Sequence, residues 1–198
     1  MSYIGPMDPG GYFIVKGQEK VILIHEQLSK NRVIVEISGK GNICSTVMSS
    51  THERKSRCAV VLKNGKLYMK QNTLGEDIPI VVFLKALGIE SDAEIVSLIA
   101  GTDGRIASLL TPSFQEIHEM DIYTCEQAHV LIGTRIKNMK ARSARRRWHH
   151  RDRDPADEAR EVIASVVLPH IPSPSYNFHQ KAIYVAYMTR MAIIAHID

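Results

Sequence analysis

The chain has little cysteine and no long apolar run, and both absences narrow the class of protein. Its 198 residues include three cysteines, Cys44, Cys58 and Cys125, and no CxxC pair. Cysteines that are odd in number and widely spaced indicate buried thiols in a reducing compartment rather than a disulfide framework. No apolar run approaches the roughly 18 residues that a membrane-spanning helix needs, and no signal peptide is indicated. We therefore expect no membrane partner and a cytosolic or nuclear protein.

Motifs that carry catalytic chemistry are also missing. The sequence contains neither the G-x-S-x-G turn of many hydrolases nor the G-x-x-x-x-G-K-[ST] loop that cradles nucleotide phosphates. Neighbouring carboxylates, such as Glu76-Asp77 and those within 152–161, are explained by helix caps and solvated faces, because nothing places two of them around one substrate atom. We expect no catalytic residue on this chain.

Histidine is common enough to raise the question of a metal site. The best group joins His118, Cys125 and His129, and the last two are one helical turn apart. No fourth ligand has convincing spacing, and a pair at i and i+4 arises often by chance. The sequence therefore favours Cys125 as a small core residue, and we expect neither a metal nor another cofactor on this chain.

Positive charge is concentrated in one segment. Residues 135–153 contain nine Lys and Arg against a single acid, Asp152, which gives the segment a net charge of +8. Because the whole chain carries +4, the remainder carries −4. A mildly acidic body with one strongly basic segment indicates an arm or loop that meets a polyanion.

We take the basic residues around the only tryptophan of the sequence as candidate nucleic-acid-binding residues. They are Lys140, Arg142, Arg145, Arg146, Arg147, Trp148, Arg151 and Arg153. Guanidinium groups neutralise phosphates without sequence preference, and an exposed tryptophan adds base stacking. Two other interpretations stay open: a solvated loop between two helices, and a nuclear-import signal.

The first third of the chain carries strand signals. Tyr12–Val15 and Val21–Ile24 are short apolar runs joined by the turn Lys16-Gly17-Gln18, which predicts a hairpin. Further strands are predicted at 33–37, 43–48, 58–62 and 67–69. Between the last two, Asn64-Gly65 favours a type I′ turn, since both residues tolerate positive φ.

After Pro79 the pattern becomes helical, with a first helix that ends at Gly88. Capping boxes predict three further helix starts, at Ser91/Glu94, Ser113/Glu116 and Thr124/Gln127. Asp154-Pro155 opens another helix, and a last one covers about 178–197. The predicted fold class is α+β, with an N-terminal β-hairpin and a small antiparallel sheet followed by a helical, bundle-like half.

Several short sequence motifs resemble those of one protein family. The segment DPGGYFIVKGQEKV at 8–21 resembles the signature of the second-largest, beta-like subunit of multisubunit DNA-directed RNA polymerases. The resemblance continues to the C-terminus and is most similar to RNA polymerase III. It passes through EQLSKNR at 26–32, SSTHE at 49–53, NTL at 72–74, EDIPI at 76–80 and ALGIESD at 86–92.

The resemblance implies a part of a much longer subunit. Residues 1–37 would be a hairpin segment derived from the protrusion domain, and residues 38–198 a lobe domain that carries the basic loop 135–153. In the family the lobe forms a wall of the DNA cleft and takes no part in the nucleotidyltransferase chemistry. The implied partners are DNA and other polymerase subunits, including the largest subunit and a lobe-bound heterodimer, and the implied location is the nucleus.

Two alternatives stay open beside this hypothesis. The chain is then either a freestanding nucleic-acid-binding or regulatory module that acts through residues 135–153, or a truncated product without function. The opening Met1–Met7, which does not resemble the family, favours the freestanding module slightly.

Overall fold

The computed structural model describes residues 7–39, 41–142 and 154–197. In these residues an antiparallel β part precedes a helical part, so the predicted α+β class is confirmed. The strands are β1 (Phe13–Val15), β2 (Gln18–Lys20), β3 (Val33–Ile37), β4 (Ile43–Ser50), β5 (Lys55–Lys63), β6 (Lys66–Gln71) and β7 (Ile78–Pro79). The helices are α1 (Ile80–Ala86), α2 (Asp92–Ala100), α3 (Gly104–Glu119), α4 (Cys125–Arg142), α5 (Pro155–Ser165) and α6 (His179–Ile197), with a 3-10 turn at Pro174–Tyr176.

The N-terminal hairpin is tighter than predicted. β1 and β2 pair through a two-residue turn, Lys16-Gly17, in which both residues have positive φ (55° and 76°). This is the turn geometry that matches the twist of paired strands. The second strand is therefore Gln18–Lys20, and the apolar run 21–24 follows it without belonging to a helix or strand of the described chain.

The main sheet has five strands in the order β3-β4-β5-β6-β7, each antiparallel to its neighbour. Asn64-Gly65 forms the predicted turn between β5 and β6, with φ of 50° and 76°. β3 lies before the predicted domain boundary at residue 37, and it pairs with β4 along its whole length. The division into residues 1–37 and 38–198 stays a prediction.

In the described residues, a large hydrophobic core joins the sheet to the helices. Val47, Val60 and Met69 from the sheet are fully buried together with side chains of α1, α2, α3, α4, α5 and α6. All seven residues of α1 are buried, including Lys85, whose Nζ donates to the carbonyl oxygen of Glu90 at 2.7 Å. α1 therefore forms the centre of the helical half, and no helix of the described residues is long and apolar enough to cross a membrane.

One predicted helix start is wrong. Ser113 and Glu116 lie inside α3, which begins at Gly104 after the N-cap Asp103 and continues past Pro112. The Ser113 hydroxyl accepts a hydrogen bond from the backbone N–H of Leu67 at 3.1 Å, and Glu116 accepts one from the Tyr68 hydroxyl at 2.9 Å. Both side chains bind the sheet, so contacts with β6 override the local capping signal.

Candidate nucleic-acid interface

The basic segment begins on a helix whose start the sequence predicts correctly. The N–H of Gln127 donates to the Thr124 hydroxyl at 3.3 Å, and the Gln127 side-chain oxygen accepts from the N–H of Thr124 at 3.1 Å. This reciprocal pair satisfies two donors that the helix itself leaves free. From there α4 continues to Arg142, so residues 135–142, which the sequence interpretation placed in a loop, are helical.

The buried residues of α4 attach this helix to the core. Ala128, Ile132 and Ile136 are at 0% exposure, and the helix packs on α1 and α5. Apolar residues four apart lie on one face of a helix, so this stripe fixes how α4 is rotated. The helix is therefore held from its first turn to Ile136 before its basic end begins.

Close contact at Gly133 determines where the basic segment returns to the body. A Cβ atom at Gly133 would lie 1.9 Å from the carbonyl oxygen of Pro155, so glycine is what allows α5 to approach this closely. At 1.5 Å per residue, α4 extends about 13 Å beyond Gly133 to reach Arg142. The described residues on either side of 143–153 are therefore carried by two helices that meet at Gly133 and Pro155.

α5 then runs back beside the first half of α4. Arg160 lies in the same cleft as Cys125 and His129, whereas Pro155 lies at Gly133, so the two helices are antiparallel. The side chain of Asp154 accepts from the N–H of Ala156 at 3.4 Å and caps α5, as predicted. Both ends of the basic segment are held by helices that share one core.

The candidate residues fall into two groups. Lys140 and Arg142 lie in the last turn of α4. Arg145, Arg146, Arg147, Trp148, Arg151 and Arg153 lie outside the described residues. Arg135, at the start of the basic segment, is used inside the fold: its Nη1 donates to the carbonyl oxygen of Asp77 at 3.0 Å, and its Nε lies 3.9 Å from a carboxylate oxygen of Glu76.

The histidine and cysteine group considered for a metal is only partly assembled. Cys125 Sγ lies 3.6 Å from His129 Nδ1, whereas the ring of His118 packs on Tyr123 with centroids 5.8 Å apart. Burial raises the pKa of the Cys125 thiol, and burial together with Arg160 lowers the pKa of His129, so the pair is neutral near pH 7. The described residues contain no group of three or more metal-ligating side chains.

One polar pair was not predicted from the sequence. Ser49 Oγ lies 2.7 Å from His170 Nδ1 and also accepts from the backbone N–H of His170 at 3.2 Å. Ser49 is 1% exposed, and the His170 ring packs edge-on against Tyr184. Because the hydroxyl is closed to substrate, the pair ties the segment after α5 to β4. The two residues are 121 positions apart, so no local pattern could have indicated it.

Comparison with known proteins identifies the family of the chain. A family model described as RNA polymerase Rpb2, domain 2, matches residues 29–198. The chain therefore belongs to this family of RNA polymerase subunit domains.

Three relatives of the chain are subunits of RNA polymerase III. The chain is 49% identical over 193 residues to the DNA-directed RNA polymerase III subunit rpc2 of Dictyostelium discoideum, with 98% of the chain and 12% of the relative covered. It is 50% identical over 194 residues to the subunit RPC2 of Schizosaccharomyces pombe, with 98% and 16% covered. For RPC2 of Saccharomyces cerevisiae the identity is 45% over 191 residues, with 96% and 16% covered.

The resemblance stated from the sequence is therefore confirmed. The chain is similar to a portion of an RNA polymerase III subunit and spans 12 to 16% of the length of these relatives.

Proposed function

We propose that this chain is a non-catalytic lobe portion of the second-largest subunit of DNA-directed RNA polymerase III. It forms a wall of the DNA cleft and a docking surface for polymerase subunits or factors. The observation that carries the proposal is the identity of 45 to 50% to polymerase III subunits along nearly the whole chain.

The basic segment is the surface that we assign to DNA. Its two ends meet at Gly133 and Pro155, and α4 carries Lys140 and Arg142 beyond this junction. A helix end that extends past its neighbour lets cations reach phosphates without unfolding the core. We assign backbone contacts to Arg145, Arg146, Arg147, Arg151 and Arg153, and stacking to Trp148.

The proposed partners follow from the same assignment. They are DNA, the largest polymerase subunit and a lobe-bound heterodimer, in the nucleus. The names of the relatives support a polymerase III assembly as the setting.

Reconstitution tests the proposal. A homologous polymerase III is assembled with this chain's residues 29–198 in place of its own equivalent, with a second version in which Arg145, Arg146 and Arg147 are alanine. We expect the first to assemble and open promoters, and the second to assemble with weaker DNA retention. A control version replaces three exposed cations outside the segment, Lys30, Arg32 and Lys70, so that the loss of charge is the same. Failure of the first chimera to assemble, or unchanged promoter opening and factor docking when the segment is deleted, would contradict the proposal.

A second candidate function is a freestanding nucleic-acid-binding module. The observation that favours it is that α4 and α5, which hold both ends of the basic segment, share the core with the sheet, so the anchors need no other chain. The 198-residue chain would then bind duplex DNA with an affinity that falls steeply with salt.

Salt titration separates the two functions. Each phosphate contact adds about 0.9 to the slope of log affinity against log salt, so replacing Arg145–Arg147 by alanine should reduce the slope by about 2 to 3. The variant of Lys30, Arg32 and Lys70 should change it much less. A slope near zero, or one that the triple alanine variant leaves unchanged, would exclude the freestanding module.

A further inference from the structure

One asparagine lies where the chain enters the five-stranded sheet. Asn31 comes two residues before β3, and the family model that matches the chain begins at residue 29. Before this point β1 and β2 pair with each other in a separate two-stranded sheet. Asn31 therefore marks the start of what we call the body, the described chain from β3 to α6.

The backbone of Asn31 turns away from the line of β3. Its φ is 59°, in the left-handed region that few residues other than glycine adopt, and asparagine is one of those that tolerate it. Its N–H still donates to the carbonyl oxygen of Met48 on β4, at 2.9 Å. A residue with this φ cannot continue an extended strand, so the chain changes direction here.

The side chain of Asn31 takes the place that its backbone leaves in the ladder. Its Nδ2 donates to the carbonyl oxygen of Ser50 on β4 at 3.2 Å, and its Oδ1 accepts from the N–H of Ser50 at 2.7 Å. A carboxamide has a donor and an acceptor, like the peptide group of a neighbouring strand. Aspartate lacks the donor and glycine lacks both, so asparagine is the residue that combines this bonding with a positive φ.

Tyr184 on α6 holds the same corner from the helical layer. Its hydroxyl donates to the carbonyl oxygen of Asn31 at 3.2 Å, and its ring meets the ring of His170 edge-on, with centroids 5.2 Å apart. His170 is bonded in turn to Ser49, the neighbour of Ser50 on β4. These contacts form a closed ring that ties β4, α6 and the segment after α5 to Asn31.

We propose that Asn31 is a positioning residue, which fixes the angle at which the preceding chain meets the body. The left-handed backbone sets the change of direction, the carboxamide fastens it to β4, and Tyr184 fastens it to α6. Because the bonds come from separate segments that share one core, the chain at Asn31 cannot swing as it would about a single bond. In a longer subunit of this family, this corner orients the body relative to the part that precedes it. The inference goes beyond the proposed function and does not depend on it.

The distance between two spin labels in the full chain tests this angle. One label is attached at Lys30→Cys, directly before Asn31, and the other at Ile37→Cys, an exposed position at the far end of β3. At 3.3 Å per residue the two sites lie about 20 Å apart. The background is Cys125→Ser, since the other two cysteines are buried. With the corner intact, we expect a narrow distance distribution.

Three substitutions show what holds the corner. Asn31→Gly keeps the positive φ but removes the carboxamide, and it should widen the distance distribution about twofold, because glycine adopts both signs of φ. Tyr184→Phe removes only the hydroxyl that binds Asn31 and should widen it less. Asn64→Gly, at another asparagine with positive φ (50°), is the matched control and should leave the width unchanged. Equal widths in all four samples would overturn the inference.

Amide hydrogen exchange tests the bonds of the corner directly. The N–H of Ser50 donates to the Asn31 side chain, so it should exchange about tenfold faster in Asn31→Gly, the factor expected when one hydrogen bond is lost. Asn64→Gly should leave this rate unchanged. An unchanged rate in Asn31→Gly would show that the carboxamide does not complete the ladder, and it would overturn the inference independently of the label distances.

Discussion

Gly133 on α4 lies directly against Pro155 on α5, so closely that a Cβ atom would be 1.9 Å from the Pro155 carbonyl oxygen. This contact sets the distance between the two helices that carry the basic segment. The described residues that border the segment, Arg142 and Asp154, therefore belong to two chain stretches whose helices are in backbone contact.

The contact predicts that Gly133→Ala separates α4 from α5. The methyl group overlaps backbone that cannot rotate away, and we expect a loss of about 2 to 3 kcal/mol in the free energy of unfolding. Urea denaturation measures it. Gly104→Ala, at a helical glycine with no neighbour within 4 Å of the added Cβ, should change stability by no more than about 0.5 kcal/mol. Equal effects of the two substitutions would contradict the close approach.

Substitution of Lys181 is the second change that we expect to reduce stability. It is fully buried on α6, and its Nζ donates to the carbonyl oxygens of Ile163, Ala164 and Val167 at 2.7 to 2.8 Å. Lys181→Met leaves these acceptors at the end of α5 without a donor, and we expect a cost of about 2 to 4 kcal/mol. The exposed Lys70→Met is the matched control in the same denaturation experiment and should be nearly neutral.

The same lysine predicts a dependence on pH. Burial lowers the pKa of Lys181 to about 8, below its ordinary value of 10.5. Between these values the unfolded chain binds a proton that the folded chain does not, so Lys181 makes stability rise with pH. The difference in unfolding free energy between the wild type and Lys181→Met should therefore grow from pH 8 to 10.5. A difference that stays constant would show that Lys181 does not titrate in this range.

The surroundings of His170 predict a change in folding stability at acidic pH. Burial and the nearby Lys181 lower the pKa of His170 below its ordinary value of 6.5. Below pH 6.5 the unfolded chain takes up a proton before the folded chain does, so stability falls as the pH falls. The stability advantage of the wild type over His170→Gln should shrink from about pH 7 to about pH 5. Unfolding curves at both pH values measure it, and an advantage that grows on acidification would contradict the assignment.

Two capping boxes with the same sequence signature are expected to contribute differently to the free energy of unfolding. Thr124 accepts from Gln127 N–H, whereas Ser91 occupies the N-cap of α2 without a side-chain hydrogen bond to the helix. Thr124→Ala should therefore cost about 1 kcal/mol and Ser91→Ala a few tenths. Thermal unfolding of both variants checks the difference, and equal costs would show that the hydroxyl of Thr124 adds nothing.

Local patterns predicted most elements because each rests on interactions within a few residues. Asn64-Gly65 forms its turn, Gly88 ends α1 with a φ of 97°, and Asp154-Pro155 begins α5. The Ser113/Glu116 box failed because its side chains bind β6 and α3 passes through Pro112. The cost of a proline in a helix is about 3 kcal/mol, and burial of Ile106, Leu110 and Ile117 offsets it.

The candidate interface likewise has features that the sequence predicted and features that only tertiary contacts revealed. Composition located the positive charge at 135–153, and short sequence motifs identified the polymerase family. Tertiary contacts showed that Arg135 belongs to the fold, where it binds Asp77 and lies near Glu76.

The sequence by itself determined the fold class, most turns and helix starts, the family and the position of the basic segment. Each of these depends on backbone preferences, charge or short sequence motifs, which are local properties of the chain. Only the tertiary structure decided that α4 continues to Arg142, that Gly133 and Pro155 bring the ends of the segment together, and that Ser49 meets His170. These features depend on packing between residues that are distant in the chain. The free energy of that packing cannot be predicted from any short segment of the sequence.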